Sequence, residues 1–416
     1  MWCRHLIHRH GTTRCPSGLL SAVPDTSLVF RPKLTYYTVS TTFGQRSTLR
    51  PSVEGNGKVT DTGKRVWLAT VMVLAVALVA ASCGSSSSST KSTATSSPAP
   101  SNGPPTTASL TTWKVGIVDP GAEAGFTFMA EQQGYYKKFG VKVEFTEFQS
   151  AGQLAPALLS GQVDSIEGGL EQVAAAIEHG AKLKVIGSTI PGLGWAIYAK
   201  KGTTLQDLPG TSMAASIPAG LPAIAARAML GTLGIDSSTI HFVNVGSNAD
   251  RLKALVAGTV KSASAPTDYI PLAATEGLSV LTTALQTAPN YPRFLVIANQ
   301  SALAARPQGA VGYLAGTMLG LRYAASHPAQ TEQLTATKLG ESVTSSLVTY
   351  GYTYTVSHGL LALNAEVPTS KIQFIANYIY KIKVIPQPLV VASVIDTSYQ
   401  QKALGLVGGS VTAPSS

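Results

Sequence analysis

From Lys114 onward, short apolar runs alternate with segments whose apolar residues recur every three or four positions, the mixture that strands and amphipathic helices produce. Lys114 to Val118 is predicted as a buried strand, Ala124 to Gln133 as a helix stopped by Gly134, and Val141 to Phe145 as a strand. A helix over Gly152 to Leu159, halted at Ser160-Gly161, precedes a short strand near Val163 to Ile166. A helix over about Gly169 to His179 and a strand over Lys184 to Ser188 follow. Trp195 to Ala199 reads as a strand crossing into a second unit that repeats the order: strand Ser212 to Ser216, helix Pro222 to Leu233, strand His241 to Val245, helix Ala249 to Ala257, strand Ser262 to Ala265. Phe294 to Ala298 is expected to cross back. Helices around Val311 to Ser326, Ala329 to Leu339 and Lys371 to Ile382 complete the first unit.

Two stretches within this pattern are alike. Ser150 to Ser165 and Ser247 to Ser262 lie 97 positions apart, and Ser150/Ser247, Leu158/Leu255, Gly161/Gly258, Val163/Val260 and Ser165/Ser262 coincide without a gap. At the same offset the strand Lys114 to Val118 falls on Thr211 to Ala215, and the loop Asp119 to Gly125 on Ser216 to Pro222. Two similar α/β units follow, each with a loop that opens a helix after its first strand. Such loops present free backbone N–H groups at the carboxyl edge of a sheet, where open α/β folds hold ligands. Facing units imply a cleft between them.

A different pattern stands ahead of this body. Lys64-Arg65, the apolar run Val66 to Ala81 and then Ser82-Cys83-Gly84 have the layout of a bacterial lipoprotein export signal, read here as residues 59–82. The box Ala80-Ala81-Ser82-Cys83 lacks the usual leucine at its first position. The alternative is an uncleaved anchor, for which the run falls short of the roughly 20 residues a span needs. Cleavage would leave Cys83 lipidated, tethering the protein to the outer face of the cytoplasmic membrane. Residues 1–58 are basic, broken by Gly and Pro and without sustained period; they are read as an untranslated or disordered prefix, with the true start near Val59. Residues 83–112, almost all Ser, Thr, Ala, Pro and Gly, form a flexible linker that cannot bury enough apolar surface to order itself.

Composition changes once the prefix is set aside. The chain's net charge of +10 comes mostly from the region up to Ser82, with 10 Lys/Arg against 3 Asp/Glu; the rest carries 21 against 18. A near-neutral exported body gives no footing for a nucleic-acid partner. Of the three cysteines, Cys3 and Cys15 fall in the prefix, so no disulfide or cysteine metal site arises after Cys83.

The body resembles the solute-binding proteins of ABC importers, in the group that binds sulfonates, taurine, nitrate and thiamine-type pyrimidine precursors. The resemblance rests on Glu131 to Glu144 (EQQGYYKKFGVKVE), Leu158 to Asp164 (LLSGQVD), Leu205 to Gly210 (LQDLPG), and Val243 to Gly246 with Arg251-Leu-Lys-Ala-Leu. It implies a type II periplasmic-binding-protein-like fold with a ligand cleft between two α/β domains. Lobe 1 would comprise 113–197 plus 294–416 and lobe 2 would comprise 198–293. It further implies a clamp that closes on a small solute and delivers it to a permease and its ATPase; nothing in the sequence calls for more than a monomer. Lys261 stands where the second half often repeats the Asp of position 164, and Glu167 where small residues are common.

The candidate ligand-binding residues are Asp119, Gly121, Glu123, Phe126, Ser150, Gly168 and Gly169 in the first lobe, Ser216, Ala219, Gly220, Asn248, Pro266 and Thr267 in the second, and Trp195 near the crossing. Each has a structural alternative: the glycines as turns, Ser216 and Asn248 as helix caps, Phe126 and Trp195 as core. Asp164 reads as a turn residue, and Arg251 as an anion contact or one arm of a salt bridge. Asp119, Glu123, Glu167 and Glu171 cluster around the first-lobe loops with no adjacent base, which leans toward a nitrogenous, cationic solute. No catalytic residue, metal site or cofactor is expected. The histidines make no metal spacing, and no nucleophile elbow appears. Two other readings stay open: an enzyme of similar fold, of the pyrimidine or quinone biosynthesis type, and a ligand-sensing lipoprotein.

Overall fold

A computed structural model describes residues 109–118 and 120–412. The expectations for the prefix, the signal segment, Cys83, the linker as far as residue 108, and Asp119 lie outside the described residues. The strands are β1 (Thr111–Val118), β2 (Val141–Phe148), β3 (Ser165–Gly168), β4 (Leu183–Ile190), β5 (Trp195–Lys200), β6 (Ser212–Ala215), β7 (His241–Asn244), β8 (Ser262–Pro266), β9 (Leu278–Thr283) and β10 (Phe294–Asn299). Helices α1 (Ala124–Gln132), α2 (Tyr135–Lys138), α3 (Leu154–Leu159) and α4 (Ala174–Glu178) belong to the first half, and α5 (Leu221–Thr232), α6 (Asn248–Val256), α7 (Ile270–Thr275) and α8 (Ala284–Thr287) to the second. The remainder is helical: α9 (Gln300–Ala305), α10 (Pro307–Ser326), α11 (Pro328–Leu339), α12 (Ser346–Ser357), α13 (Thr369–Lys381), α14 (Val391–Val394) and α15 (Ser398–Leu406).

The strands form two five-stranded sheets, ordered β2-β1-β3-β10-β4 and β7-β6-β8-β5-β9. Each sheet has three adjacent parallel strands and then one antiparallel strand delivered from the other half of the chain, β10 in the first and β5 in the second. The sequence repeat is the symmetry of these sheets. α1 and α5 begin at Ala124 and Leu221, and the 3-10 turns that follow β3 and β8 cover Leu170–Gln172 and Thr267–Tyr269, so both pairs keep the offset of 97. The matching serines do the same job: the Ser150 N–H donates to Gln153 Oε1 at 3.1 Å, and Ser247 exchanges hydrogen bonds with Asp250.

Several boundaries depart from the sequence reading, most by running a few residues further, and three have a visible cause. β1 starts at Thr111, inside the expected linker, because its first residues pair with Val141 and Lys142 on β2. The third strand starts at Ser165, since the Val163 N–H is held in a turn by Ala157 O. The helix expected over 169–179 breaks into the 3-10 turn Leu170–Gln172 and α4, parted at Val173.

Packing on the two faces of the first sheet is unequal. One face carries Trp113, Val115 and Ile117 against Phe128, Tyr136 and the long α10. Glycines at 309, 312, 316 and 320 let α10 lie close to Trp113, Val141, Tyr136 and Ala130, and a Cβ on Gly320 would stand 2.6 Å from that of Ala130. Each interior glycine costs a helix about 1 kcal/mol, offset here by the aromatic surface it admits. The other face joins a core that runs on through Leu193, Trp195 and Tyr291 to Met213 and Ile224 of the second lobe, with Ile372 and Ile375 of α13 closing it.

Several buried ionic side chains are structural. Arg251 gives its guanidinium to Ala215 O, Val245 O, Gly246 O and Asn248 Oδ1, so it is neither an anion site nor half of a salt bridge; burial among neutral acceptors pulls its pKa down to about 10. Asp164 accepts from the Lys114 N–H and from Arg306. Glu167 accepts from Tyr313 Oη and Thr189 Oγ1 within the first lobe. Lys261 is exposed, just before β8 begins.

Candidate ligand-binding site

The carboxyl ends of β1 and β3 in one sheet, and of β6 and β8 in the other, carry the loops that open α1, α5 and the two 3-10 turns. Two crossing segments, Pro191 to Gly194 and Ala288 to Arg293, connect the halves. Glu123 caps the start of α1 and is 7% exposed; its Oε1 accepts from Arg293 Nη2 at 2.9 Å. Arg293 lies on the returning crossing with its guanidinium 4.6 Å from the Phe294 ring centre and 5.9 Å from that of Trp195. The Trp195 indole N–H donates to Ser264 Oγ at 2.8 Å, which fixes the ring as a wall. From the second lobe, Asp268 reaches the same place: burial pushes its carboxyl up to about 7, the Arg293 charge opposes that, and the Glu123 charge adds to it. Gly351 of α12 lies against Ala122 and the Asp268 side chain. One carboxylate from the first lobe thus pairs with the guanidinium on the crossing, and a second, from the other lobe, lies within reach of the same charges.

A second group sits at the end of β3. Gly168 and Gly169 leave room that the Gln172 amide and the Glu171 carboxylate occupy, and a Cβ at either glycine would collide with them. Glu171 is 5% exposed, and both of its oxygens, with Gln172 Oε1 and the Tyr291 hydroxyl, are buried without a hydrogen-bond partner. Burial pushes Glu171 up to about 7, its own backbone N–H pulling slightly the other way. Burial raises the pKa of Tyr291 on the crossing, and the Glu171 charge adds to it. The repeat aligns Glu171 with Asp268, so both lobes place a buried acid at the second position of the same 3-10 turn.

The sequence profile described as NMT1/THI5 like matches residues 122–331, half of the chain. The chain belongs to the NMT1/THI5-like family. The matched region of this NMT1/THI5-like protein begins at the α1 loop and ends on α11, so it takes in both sheets but for β1. No curated protein matches. Among solved structures, the chain is similar to the ligand-binding component of an ABC-type import system from Staphylococcus aureus, solved with zinc bound, at TM-score 0.59 and 14% identity over 71% of this chain and 99% of that one. It is similar to the aliphatic sulphonate-binding protein SsuA of Escherichia coli at TM-score 0.56 and 18% identity over 70% and 100%. A third neighbour is DSZB, solved as a cysteine-to-serine variant with biphenyl-2-sulfinic acid, at TM-score 0.55 and 13% identity over 71% and 99%. These likenesses establish the periplasmic-binding-protein fold.

The candidate residues of this NMT1/THI5-like protein divide accordingly. Glu123, Gly168, Gly169, Trp195 and Thr267 lie in or beside the two groups, and a Cβ on Gly121 would meet Glu123 Oε2 at 3.0 Å. Thr267 is fully buried, its N–H bonded to Gly194 O and its hydroxyl unpartnered. Pro266 precedes it and accepts from Tyr198 Oη. Gly220 caps α5, Ser216 Oγ donates to Ile217 O, and Ala219 is exposed. Three side chains are engaged elsewhere: Phe126 stacks on Tyr352 in the first-lobe core, Ser150 serves its capping box, and Asn248 holds Arg251. The sequence reading left Asp268, Gln172, Tyr291 and Arg293 off the site. Asp268 was reachable through the repeat, as the partner of Glu171; Tyr291 and Arg293 sit on an irregular crossing that has no period to read. Among the described residues no cluster of three or more His, Cys, Asp or Glu side chains is placed to hold a metal.

Proposed function

We propose that this protein is the solute-binding lipoprotein of an ABC importer. Residues 59–82 direct export, lipid on Cys83 holds it at the outer face of the cytoplasmic membrane, and a small organic solute is captured between the lobes and handed to a permease. The observation that carries the reading is the Glu123–Arg293 pair between the first lobe and the crossing, with the buried Asp268 of the other lobe under the influence of both charges. A hinge motion makes or breaks that arrangement, so a solute bound there biases an open–closed equilibrium. The fold held in common with an import component and with SsuA supports the same role. Gly121, Glu123, Gly168, Gly169, Trp195, Ser216, Gly220 and Thr267, with Asp119, are the proposed lining, and nitrogenous, sulfonate, taurine and nitrate solutes the candidate cargo.

An enzyme is the second reading, favoured by the DSZB likeness. DSZB was solved with a cysteine replaced by serine, and no cysteine follows Cys83 in this chain, so the globular body has no thiol nucleophile to offer. The test is a thermal-shift screen of the full chain with sulfonates, taurine, nitrate, aminopyrimidines, amines and amino acids. A solute at about 100 times its dissociation constant adds roughly 2.7 kcal/mol. Turnover of a hit, or no stabilising solute at all, would overturn the binding-protein reading. For the anchor, Cys83→Ser should release the protein from the membrane fraction of the host; an unchanged membrane share would refute lipidation.

A further inference from the structure

Glu171 is a poor structural residue. It follows the core residue Leu170 and is almost wholly buried, yet both carboxylate oxygens are without a hydrogen-bond partner, and a buried acceptor left unpaired costs about 1–3 kcal/mol, more when charged. Its neighbour Gln172 also leaves its carbonyl oxygen unpaired, and so does the Tyr291 hydroxyl. The other buried carboxylates differ in degree: Asp164 and Glu167 are fully engaged within their lobe, and Glu123 gives one oxygen to Arg293 and leaves the other unpaired, whereas Glu171 has neither oxygen paired. Two glycines are spent in making room for the Glu171 and Gln172 side chains at the strand end.

We infer that Glu171, Gln172 and Tyr291 form the subsite for a cationic nitrogen group bearing several N–H donors, an ammonium or an amidinium, on the solute bound between the lobes. The inference rests on the solute-binding reading and adds the charge of the cargo. Four buried oxygens without a hydrogen-bond partner among the described residues, two of the carboxylate, one of the amide and one of the hydroxyl, match the forked or threefold donors of such a group. A sulfonate or nitrate offers only acceptors and a negative charge, so it would meet Glu171 with repulsion and leave the carboxylate and amide oxygens unpaired. Tyr291 stands on the crossing, so a group held between it and Glu171 ties the first lobe to the hinge. Glu171 burial also raises its pKa, and a bound cation would restore its ionised form.

The test compares four phenyl probes on the full chain at pH 8: benzamidine, benzylamine, benzyl alcohol and benzenesulfonate. Binding is read by thermal shift and calorimetry up to about 10 mM. The cations should bind and the alcohol and sulfonate should not. Glu171→Gln should weaken benzamidine at least tenfold, and Tyr291→Phe severalfold, while Glu144→Gln on the surface changes nothing. Benzenesulfonate binding as well as benzamidine, benzamidine affinity unchanged in Glu171→Gln, or no response to either cation would overturn the subsite. If the cations fail while any solute of the wider screen binds, the solute-binding reading stands and the cation subsite alone is refuted.

Discussion

Replacing Glu171 by Gln should make the ligand-free protein's stability markedly less sensitive to pH. Moving a carboxyl from its ordinary 4.5 to about 7 corresponds to roughly 3 kcal/mol between its two protonation states. Below pH 4.5 the group is protonated in both the folded and the unfolded chain, and its contribution is fully present. Between 4.5 and 7 the unfolded chain loses the proton while the folded chain keeps it, so folding stability falls as pH rises. Above 7 the whole loss of about 3 kcal/mol is in place. Glutamine cannot ionise. Asp268, also pushed up to about 7 by burial, titrates alike in both proteins and cancels from the comparison. Urea unfolding followed through the buried Trp113 and Trp195 at pH 4 and pH 8 gives the four free energies needed. The difference between wild type and variant should change by about 3 kcal/mol across that interval, in favour of the variant at pH 8. A change below about 0.5 kcal/mol would mean that Glu171 is solvated or paired, and the reasoning would fail.

Arg293→Met leaves the buried Glu123 without its cation and takes away the positive charge that offsets it near Asp268, and should cost about 3–5 kcal/mol at pH 8, read from the unfolding midpoint. Arg251→Lys cannot reproduce the fan of bonds to Ala215, Val245, Gly246 and Asn248, and should cost about 2–3 kcal/mol in the same assay; a neutral effect would show those carbonyls satisfied by water. Gly320→Ala forces α10 away from Ala130 and should destabilise by about 1–3 kcal/mol despite alanine's better helix propensity, with a stabilising result refuting the close packing.

Much of the frame was legible because both kinds of periodicity survive in it. The offset of 97 found in a serine, a leucine, a glycine and a valine turned out to relate whole strands, helices and 3-10 turns. Elements without a pattern were missed. α12 reads SLVTYGYTYTVS, rich in β-branched and aromatic residues, and is helical because Val348, Gly351, Tyr352 and Tyr354 are buried against its neighbours, a tertiary effect that outweighs local preference. β9 is short and half-buried. The glycines at the strand ends were recognised as candidates, but a sequence cannot reveal that Gly168 and Gly169 matter for the oxygens that lie over them. Arg293 and Tyr291 required the crossing to be seen in place.

The exchanged fourth strands set an order on how the chain assembles. All of the second sheet lies in one continuous stretch, Trp195 to Thr283, so it closes as soon as β9 is made. The first sheet is different: β3 and β4 are separated by a gap that only β10 fills, more than a hundred residues after β3. Until Phe294 emerges, a growing chain holds two open strand edges flanking the empty place, and such edges invite pairing with other chains. The later lobe therefore matures before the earlier one, and the long loop that joins β3 to β10 makes closure of the first sheet the slow event of folding. A chain truncated just before Phe294 should keep a sound second lobe and aggregate through the first.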